Sequence, residues 1–332
     1  MTGSRRTRWI VGVGVVIAAV VLGPMALGGP GTPVTIEIPT GATLPRVADL
    51  LEEEGVIGNA RLFRLYVRAR RADRSLKSGT YRMETRSSMR TVLRRITRGE
   101  VETVALTIPE GFQIGQMIPR IAEVTGATPD EIRDVLTDDA LVERLGVPGP
   151  TLEGYLFPDT YHFAFGVTVE SVAGSMVERY REVWTPERRA ILEGTGRTER
   201  EVVTLASIIQ AEARIVSEMP RIAGVYHNRL EDGWLLQADP TVLYALGGYR
   251  SRLLYAAIDS VQDHPYNTYA HRGLPPGPIG SPGASAIDAA LTPEEHDFMF
   301  FVARPDGSHA FTRSLGEHNR AKEESQAARD GA

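Results

Sequence analysis

Residues 198–216 read TEREVVTLASIIQAEARIV. Thr198 and Glu201 are spaced as a capping box, so a helix starts here with its first amides satisfied. Val202, Leu205 and Ile209 form an apolar stripe, and the same rhythm of three and four next reaches positions 212 and 216. Position 216 is valine; position 212 is glutamate. The spacing predicts a carboxylate facing the same interior as three aliphatic side chains, one turn beyond Ile209. Desolvation makes such a carboxyl hold its proton more tightly, the condition that a general acid working near neutral pH requires. Two competing readings stay open: Glu212 pairs with Arg214 or Arg229 in a structural ion pair, or the helix end frays and the glutamate is solvated.

Downstream, a second helix is expected from Pro220 to Asp232-Gly233, presenting Ile222, Val225, Tyr226, Arg229 and Leu230. Glu218 reads as a first-turn residue of that helix, and Asn228 lies on it. In WLLQADPTVLYAL (234–246), Gln237 and Asp239 fall on an extended turn before Pro240, with Thr241 capping a short helix. Trp234, Tyr226 and Tyr244 offer faces for a sugar ring, the alternative being that two of the three are core. Residues 264–283, HPYNTYAHRGLPPGPIGSPG, are too rich in Pro and Gly for regular structure. Loops of such length inside a domain are commonly functional. ASAIDAALTP then reads as a helix, FMFFVA as a buried strand and HAFTRS as its partner across RPDGS. From 319 the chain is polar and is expected to fray.

Upstream, VTIEIP alternates like a strand, and the following LPRVADLLEEEGVI carries Leu44, Val47, Leu50 and Leu51 at helical spacing. The order strand, IPxG turn, amphipathic helix returns at 103–126, with Ile38-Pro39-Thr40-Gly41 matched by Ile108-Pro109-Glu110-Gly111. Between the two lie a basic helix around 60–72, a strand-like SGTYRM, and a helix with Ser87 or Ser88 at its N-cap. Residues 127–150 read as helices with turns, TLEGYLFPDTYHF as an aromatic-rich stretch broken by Pro158, and 168–184 as a long helix.

The N-terminus carries a topological signal. Arg5, Arg6 and Arg8 precede the uncharged run 9–27, WIVGVGVVIAAVVLGPMAL. At about 1.5 Å per residue this nearly crosses a hydrocarbon core of about 30 Å. The expectation is a cytoplasmic tail (1–8), a transmembrane anchor (9–27) and a linker (28–33), with the rest of a single-pass cell-membrane protein outside the cytoplasm. A cleaved signal peptide, with a small-residue site near Ala26-Leu27-Gly28, is the competing reading.

Composition narrows the chemistry. Of 332 residues 42% are hydrophobic and the net charge is −5, so nothing in the overall balance suggests a polyanion-binding protein, and nucleic acid is not an expected partner. The absence of cysteine excludes disulfides, thiolate nucleophiles and Cys-based metal sites. No HExxH, GxSxG or GxxxxGK[ST] occurs. Ser207, in a helix interior, is expected to bond back to the preceding turn. The two lysines, Lys77 and Lys322, lie in the membrane-proximal region and the tail, which disfavours Schiff-base chemistry. No metal or cofactor is expected, and carboxylate chemistry remains. A two-carboxylate glycosidase needs a partner about 5–9.5 Å away; Asp239, Glu153 and Asp159 are candidates, none compelling. One buried acid suffices where the substrate supplies its own nucleophile, as an N-acetylated sugar can through its acetamido oxygen and 6-hydroxyl.

Seven ordered segments carry a resemblance: LEGYLFPDTY (152–161), LASIIQAEA (205–213), VYHNRL (225–230), LQADPTVLYAL (236–246), YNTY (266–269), GLPPGPIGSPG (273–283) and HAF…HN (309–319). In these the chain resembles the endolytic murein transglycosylase family (MltG or YceG-like proteins), from the N-terminal anchor to about residue 325. The family pattern around the acid is commonly ASI[IV]EKE, with its second glutamate catalytic; that position is Glu212 here. The first is Gln210, a departure which implies that position 210 is not required for chemistry.

The resemblance implies a membrane-anchored lytic transglycosylase that cuts nascent peptidoglycan strands internally and leaves 1,6-anhydromuramoyl ends. The expected architecture is α+β: the transmembrane helix, a LysM-like strand-helix region (34–126), a mixed α/β catalytic domain (127–325) and a flexible tail (326–332). Gln237, Asp239, Thr241, Asn267, Tyr269, Glu153 and Asn228 are the expected substrate-binding residues. Glycan strands are the expected partner, with peptidoglycan synthases expected nearby; a peptidoglycan-binding scaffold or a muramidase-type hydrolase are the alternatives.

Overall fold

Alternation in PVTIEI buries Ile36 and Ile38 on one face of strand β1 (Pro33–Ile38), which pairs antiparallel with β2 (Gly79–Glu84), Ile36 opposite Tyr81. This computed structural model describes residues 31–248 and 255–330. Between the two strands run helices α1 (Leu44–Glu53) and α2 (Ala60–Ala69), and after β2 comes α3 (Met89–Arg98). Leu44, Val47 and Leu51 are buried as the helical spacing requires, packed with Phe63, Val67, Val92 and Ile96 in one core. Ser88, not Ser87, is the N-cap of α3, its hydroxyl accepting from the Thr91 amide.

The chain forms two compact units: residues up to 104 with His162–Gly166, and Ala105–Tyr161 with Val167 onward. The boundary falls within β3 (Thr103–Thr107), the strand of the second strand-turn-helix, whose helix is α4 (Ile114–Thr125). The repeat is real locally, because Gly41 and Gly111 adopt the same left-handed conformation, φ 75° and 78°. Yet α4 packs on α5 (Pro129–Leu136) and belongs to the larger unit, not to the 34–126 region expected from sequence. The two turns share local geometry, while tertiary packing separates them.

In the larger unit, α6 (Asp139–Leu145), α7 (Val169–Val183) and α8 (Pro186–Thr195) lead to α9 (Glu199–Glu212), while β4 (Thr160–Ala164), between α6 and α7 in the chain, is divided between the two units. Thr198 and Glu201 form the expected capping box: the Glu201 amide donates to the Thr198 hydroxyl at 3.2 Å, and the Thr198 amide to the Glu201 carboxylate at 2.7 Å. Every residue from Val202 to Ile209 is buried, so α9 is a central helix instead of a surface one. It packs against α10 (Met219–Glu231) and α13 (Ala284–Leu291). Two short helices, α11 (Asp239–Ala245) and α12 (Tyr255–Asp259), precede the Pro/Gly segment. A hairpin of β5 (Phe300–Ala303) and β6 (His309–Thr312) follows α13, with Phe301 opposite Phe311.

Two expectations are corrected. The polar stretch from 319 does not fray: Leu315–Asp330 is a helix, α14, whose Ser325 hydroxyl and Arg329 guanidinium both donate to the Ala303 carbonyl of β5. The transmembrane helix and the single-pass membrane placement are also withdrawn. Among the described residues no helix is long and apolar enough to cross a membrane. The longest, α14 with 16 residues, is polar and spans about 24 Å against a core of about 30 Å. The run 9–27 itself lies outside the described residues.

The Pro/Gly segment lies on α9 as an extended ribbon with alternate amides engaged. Ile279 N–H donates to the Ser207 hydroxyl (3.0 Å), Ser281 N–H to the Phe112 carbonyl (2.9 Å) and Gly283 N–H to the Gln210 side chain (3.0 Å). Ser207 donates in turn to the Thr204 carbonyl, as the sequence predicts. Replacing Ser207 with alanine orphans a buried amide, and a loss of about 1–3 kcal/mol in urea-unfolding free energy is expected. Thr198→Ala, removing one cap, should lose about 1 kcal/mol.

Candidate active site

Helix α9 ends at Glu212, and the chain leaves it extended at Ala213. The turn after it brings α10 alongside, so that Tyr226, two turns into α10 and buried, points its hydroxyl at the last residue of α9. It donates to Glu212 Oε1 at 3.0 Å. The Glu212 residue keeps partial contact with solvent, but protein surrounds its carboxyl closely. Burial pushes its pKa up to about 7; the negative charge of Asp239 adds to the rise, while the Tyr226 hydrogen bond and the Arg229 charge oppose it. Tyr226 is itself raised far above the ordinary tyrosine range, first by burial and then by Glu212, so it stays a donor.

Neither open alternative for Glu212 describes the structure. Arg229 faces the carboxyl's surroundings, yet its Nε and Nη1 donate to the carbonyls of Met299 and Leu236. The helix end is held by a backbone bond from Ala213 N–H to the Ile209 carbonyl, not frayed.

Asp239 opens α11, and its Oδ1 accepts from the Tyr269 hydroxyl. Gln237 sits beside it with φ 48°, a left-handed conformation that costs a non-glycine residue free energy. Its amide donates to the Thr268 carbonyl, and the Ala238 amide to the Thr268 hydroxyl. Leu236 and Ala238 are buried while Gln237 and Asp239 are exposed, so the extended segment turns its two polar side chains outward. Glu212, Tyr226, Arg229, Asp239 and Tyr269 thus form one electrostatic group.

The remaining expected residues are placed otherwise. Thr241 does not cap α11; it is buried inside the helix, its hydroxyl bonded to the Ala238 carbonyl and to Thr268. Asn267 is buried, donating to the carbonyls of Ile258 and Val261 and accepting from the Tyr269 amide. The Asn228 amide donates to the carbonyls of His296 and Phe298. Thr241 and Asn267 thus brace the segments that carry Asp239 and Tyr269, whereas Asn228 ties α10 to the stretch before β5. Glu153 is buried at the N-terminus of α4, both oxygens 3.3 Å from the Ile114 amide, and burial pushes its pKa up to about 7. Its charge acts on Tyr244 and Tyr266, which pack ring to ring at 4.9 Å.

Of the three candidate stacking faces, Tyr226 is core, Tyr244 is half-buried and Trp234 is 44% exposed, its ring edge-on to Phe300. The hydroxyl partner of Glu212 is what the sequence reading missed; Tyr226 shares a face with Ile222 and Arg229 on the neighbouring helix, but which helices adjoin is not written in spacing. Glu218 was also read incompletely. It sits at the N-cap of α10, and its carboxylate accepts from both the backbone and the Nδ1 of His309, at 3.2 and 2.7 Å.

The sequence profile of the YceG-like family matches residues 36–324. A protein of Bacillus subtilis named endolytic murein transglycosylase is 33% identical over 88% of this chain and 84% of its own length. One of the same name from Streptococcus pneumoniae is 28% identical over 86% of this chain, which spans 57% of that longer protein. The crystal structure of a putative yceG-like protein from Listeria monocytogenes matches with a TM-score of 0.60 at 32% identity, covering 88% of this chain and 99% of that one. The seven segments of the resemblance all lie inside the matched residues, and the chain belongs to the YceG-like family.

Proposed function

We propose that this chain is an endolytic lytic transglycosylase of peptidoglycan, cutting the β-1,4 bond between N-acetylmuramic acid and N-acetylglucosamine within a glycan strand. The name shared by its relatives supports the enzyme class and the polymer. The observation that carries the residue assignment is the Glu212 carboxyl, desolvated, hydrogen-bonded by Tyr226 and raised by burial to a pKa of about 7.

With Oε1 accepting from Tyr226, the carboxyl proton resides on Oε2 and is available to the glycosidic oxygen. Protonation lets that bond break as positive charge develops at the anomeric carbon, which the muramoyl acetamido oxygen stabilises. The resulting Glu212 carboxylate takes the proton from the sugar's 6-hydroxyl as it closes the 1,6-anhydro ring. The acid is thereby restored and no water is consumed. Burial, with the Asp239 charge adding to it, favours the protonated form of Glu212 at rest, and Tyr226 stabilises the carboxylate formed midway; these opposed influences poise one group for both roles. Gln237, Asp239 and Tyr269 are assigned to the sugar; Thr241, Asn267 and Asn228 hold the groove; Glu153 fixes the α4 terminus behind it. Association with peptidoglycan synthases rests on the family resemblance alone.

Glu212→Gln should lower formation of anhydro ends by at least about 10³-fold, read by mass spectrometry of digested sacculi, with an unchanged circular dichroism spectrum. A well-folded Glu212→Gln enzyme that still makes anhydro ends sinks the assignment, and reducing muramic ends from the parent enzyme would make it a hydrolase. Activity should decline as pH rises through about 7, where Glu212 loses its proton. Tyr226→Phe removes a bond that favours the carboxylate, so that limb should move to higher pH while kcat falls roughly 5- to 10-fold. Asp239→Asn removes a charge that disfavours the carboxylate and should move the same limb to lower pH.

A further inference from the structure

Thirteen of the 37 basic residues, but two of the 42 acidic ones, fall between positions 60 and 98, a net of +11 in a chain whose total is −5. The fold gathers this charge on the smaller unit. On α3 the exposed arginines are Arg90, Arg94 and Arg98, four residues apart and so on one face. On α2, which packs beside α3, Arg61 and Arg68 are exposed on either side of Leu65. Lys77 adds its ammonium at the end of α3 by donating to the Arg98 carbonyl.

Acidic groups neutralise this surface only in part. The unit's ion pairs engage Arg64, Arg82, Arg95 and Arg98. Among the described residues Arg61, Arg68, Arg90 and Arg94 have no acidic partner. Like charges four apart on a helix weaken it, so the stripe works against the stability of α3. A merely solvated face would alternate signs, as the acidic end of α1 and the rest of the chain leave ample carboxylates to do.

We propose that the α2–α3 arginine face binds the acidic peptide stems of peptidoglycan, holding the polymer by its carboxylates while the separate larger unit acts on its sugars. The identity of the polymer rests on the proposed function. Guanidinium forks suit planar carboxylates, which they bind through two parallel hydrogen bonds, and stems recur regularly along a glycan strand. Nucleic acid fits less well, because no ring interleaves the arginines as an open stacking face: Arg70 covers the Tyr66 ring. A lipid surface fits less well too, since Leu65 is the one large apolar side chain exposed among them in the described residues.

The test is co-sedimentation of the full chain, made inactive by Glu212→Gln so that binding is read without cleavage. Its ligands are purified sacculi with stems intact, the same glycan stripped of stems by an amidase, and vesicles of anionic phospholipid. Arg90→Gln/Arg94→Gln/Arg98→Gln should weaken binding to intact sacculi at least tenfold at low salt, and about 0.5 M salt should abolish the difference. On stripped glycan, parent and triple variant should bind alike. Should the triple variant misfold by circular dichroism, Arg61→Gln/Arg68→Gln serves in its place with the same expectation. Unchanged binding to intact sacculi overturns the proposal. So does an equal loss on stripped glycan, or a loss confined to vesicles of anionic phospholipid. Because no arm depends on turnover, missing anhydro ends in the parent enzyme would sink the proposed function while leaving this result readable.

Discussion

A helix buried on all sides cannot end in a charged group without disturbing either the group or the core. Helix α9 meets this constraint by stopping at Glu212, where the carboxyl is surrounded but not sealed, and by giving it one hydroxyl partner instead of a cation. An arginine bonded to the carboxyl would have held it ionised. Arg229 is near enough to be felt, but its guanidinium is committed to two backbone carbonyls, so its influence stays secondary to burial. The site's chemistry follows from that choice of partner.

The same helix organises its surroundings through two polar side chains. Ser207 and Gln210 each accept a backbone amide from the proline-rich segment, at positions 279 and 283. Prolines remove donors and preset the backbone, so few amides need partners; between them the Ile279 and Gly283 amides meet α9 and the Ser281 amide meets Phe112. The departure from the family pattern at 210 becomes intelligible here. An acceptor oxygen is what the Gly283 amide requires, and glutamine supplies one as well as glutamate does. Elsewhere Thr241 and Thr268 bond each other, Asn267 accepts the Tyr269 amide, and the Tyr269 hydroxyl reaches Asp239.

Much of this was legible in the chain. Caps at Thr198 and Ser88, the buried stripe of α1, the hairpin at 300–312 and the irregular 264–283 segment all follow from local propensity and period. The C-terminal helix was legible and overlooked: Ser314 and Glu317 make reciprocal bonds of the capping-box kind ahead of it, while attention to the polarity of the tail suggested fraying. The order of strand, turn and helix recurs locally, while the helix of the second copy packs within the larger unit and so outside the 34–126 region that the sequence suggests.

By itself the sequence determined that a glutamate would share the face of Val202, Leu205 and Ile209, because side-chain direction along a helix depends on spacing alone. It determined the charge segregation between 60 and 98 for the same reason. Only the tertiary structure decided that Tyr226 would be the partner of Glu212, that Arg229 would turn to carbonyls, and that Asn228, Thr241 and Asn267 would be engaged by internal partners. Those outcomes depend on which helices and loops become neighbours across long stretches of chain, and packing energy summed over the whole core sets that adjacency, which no local window contains.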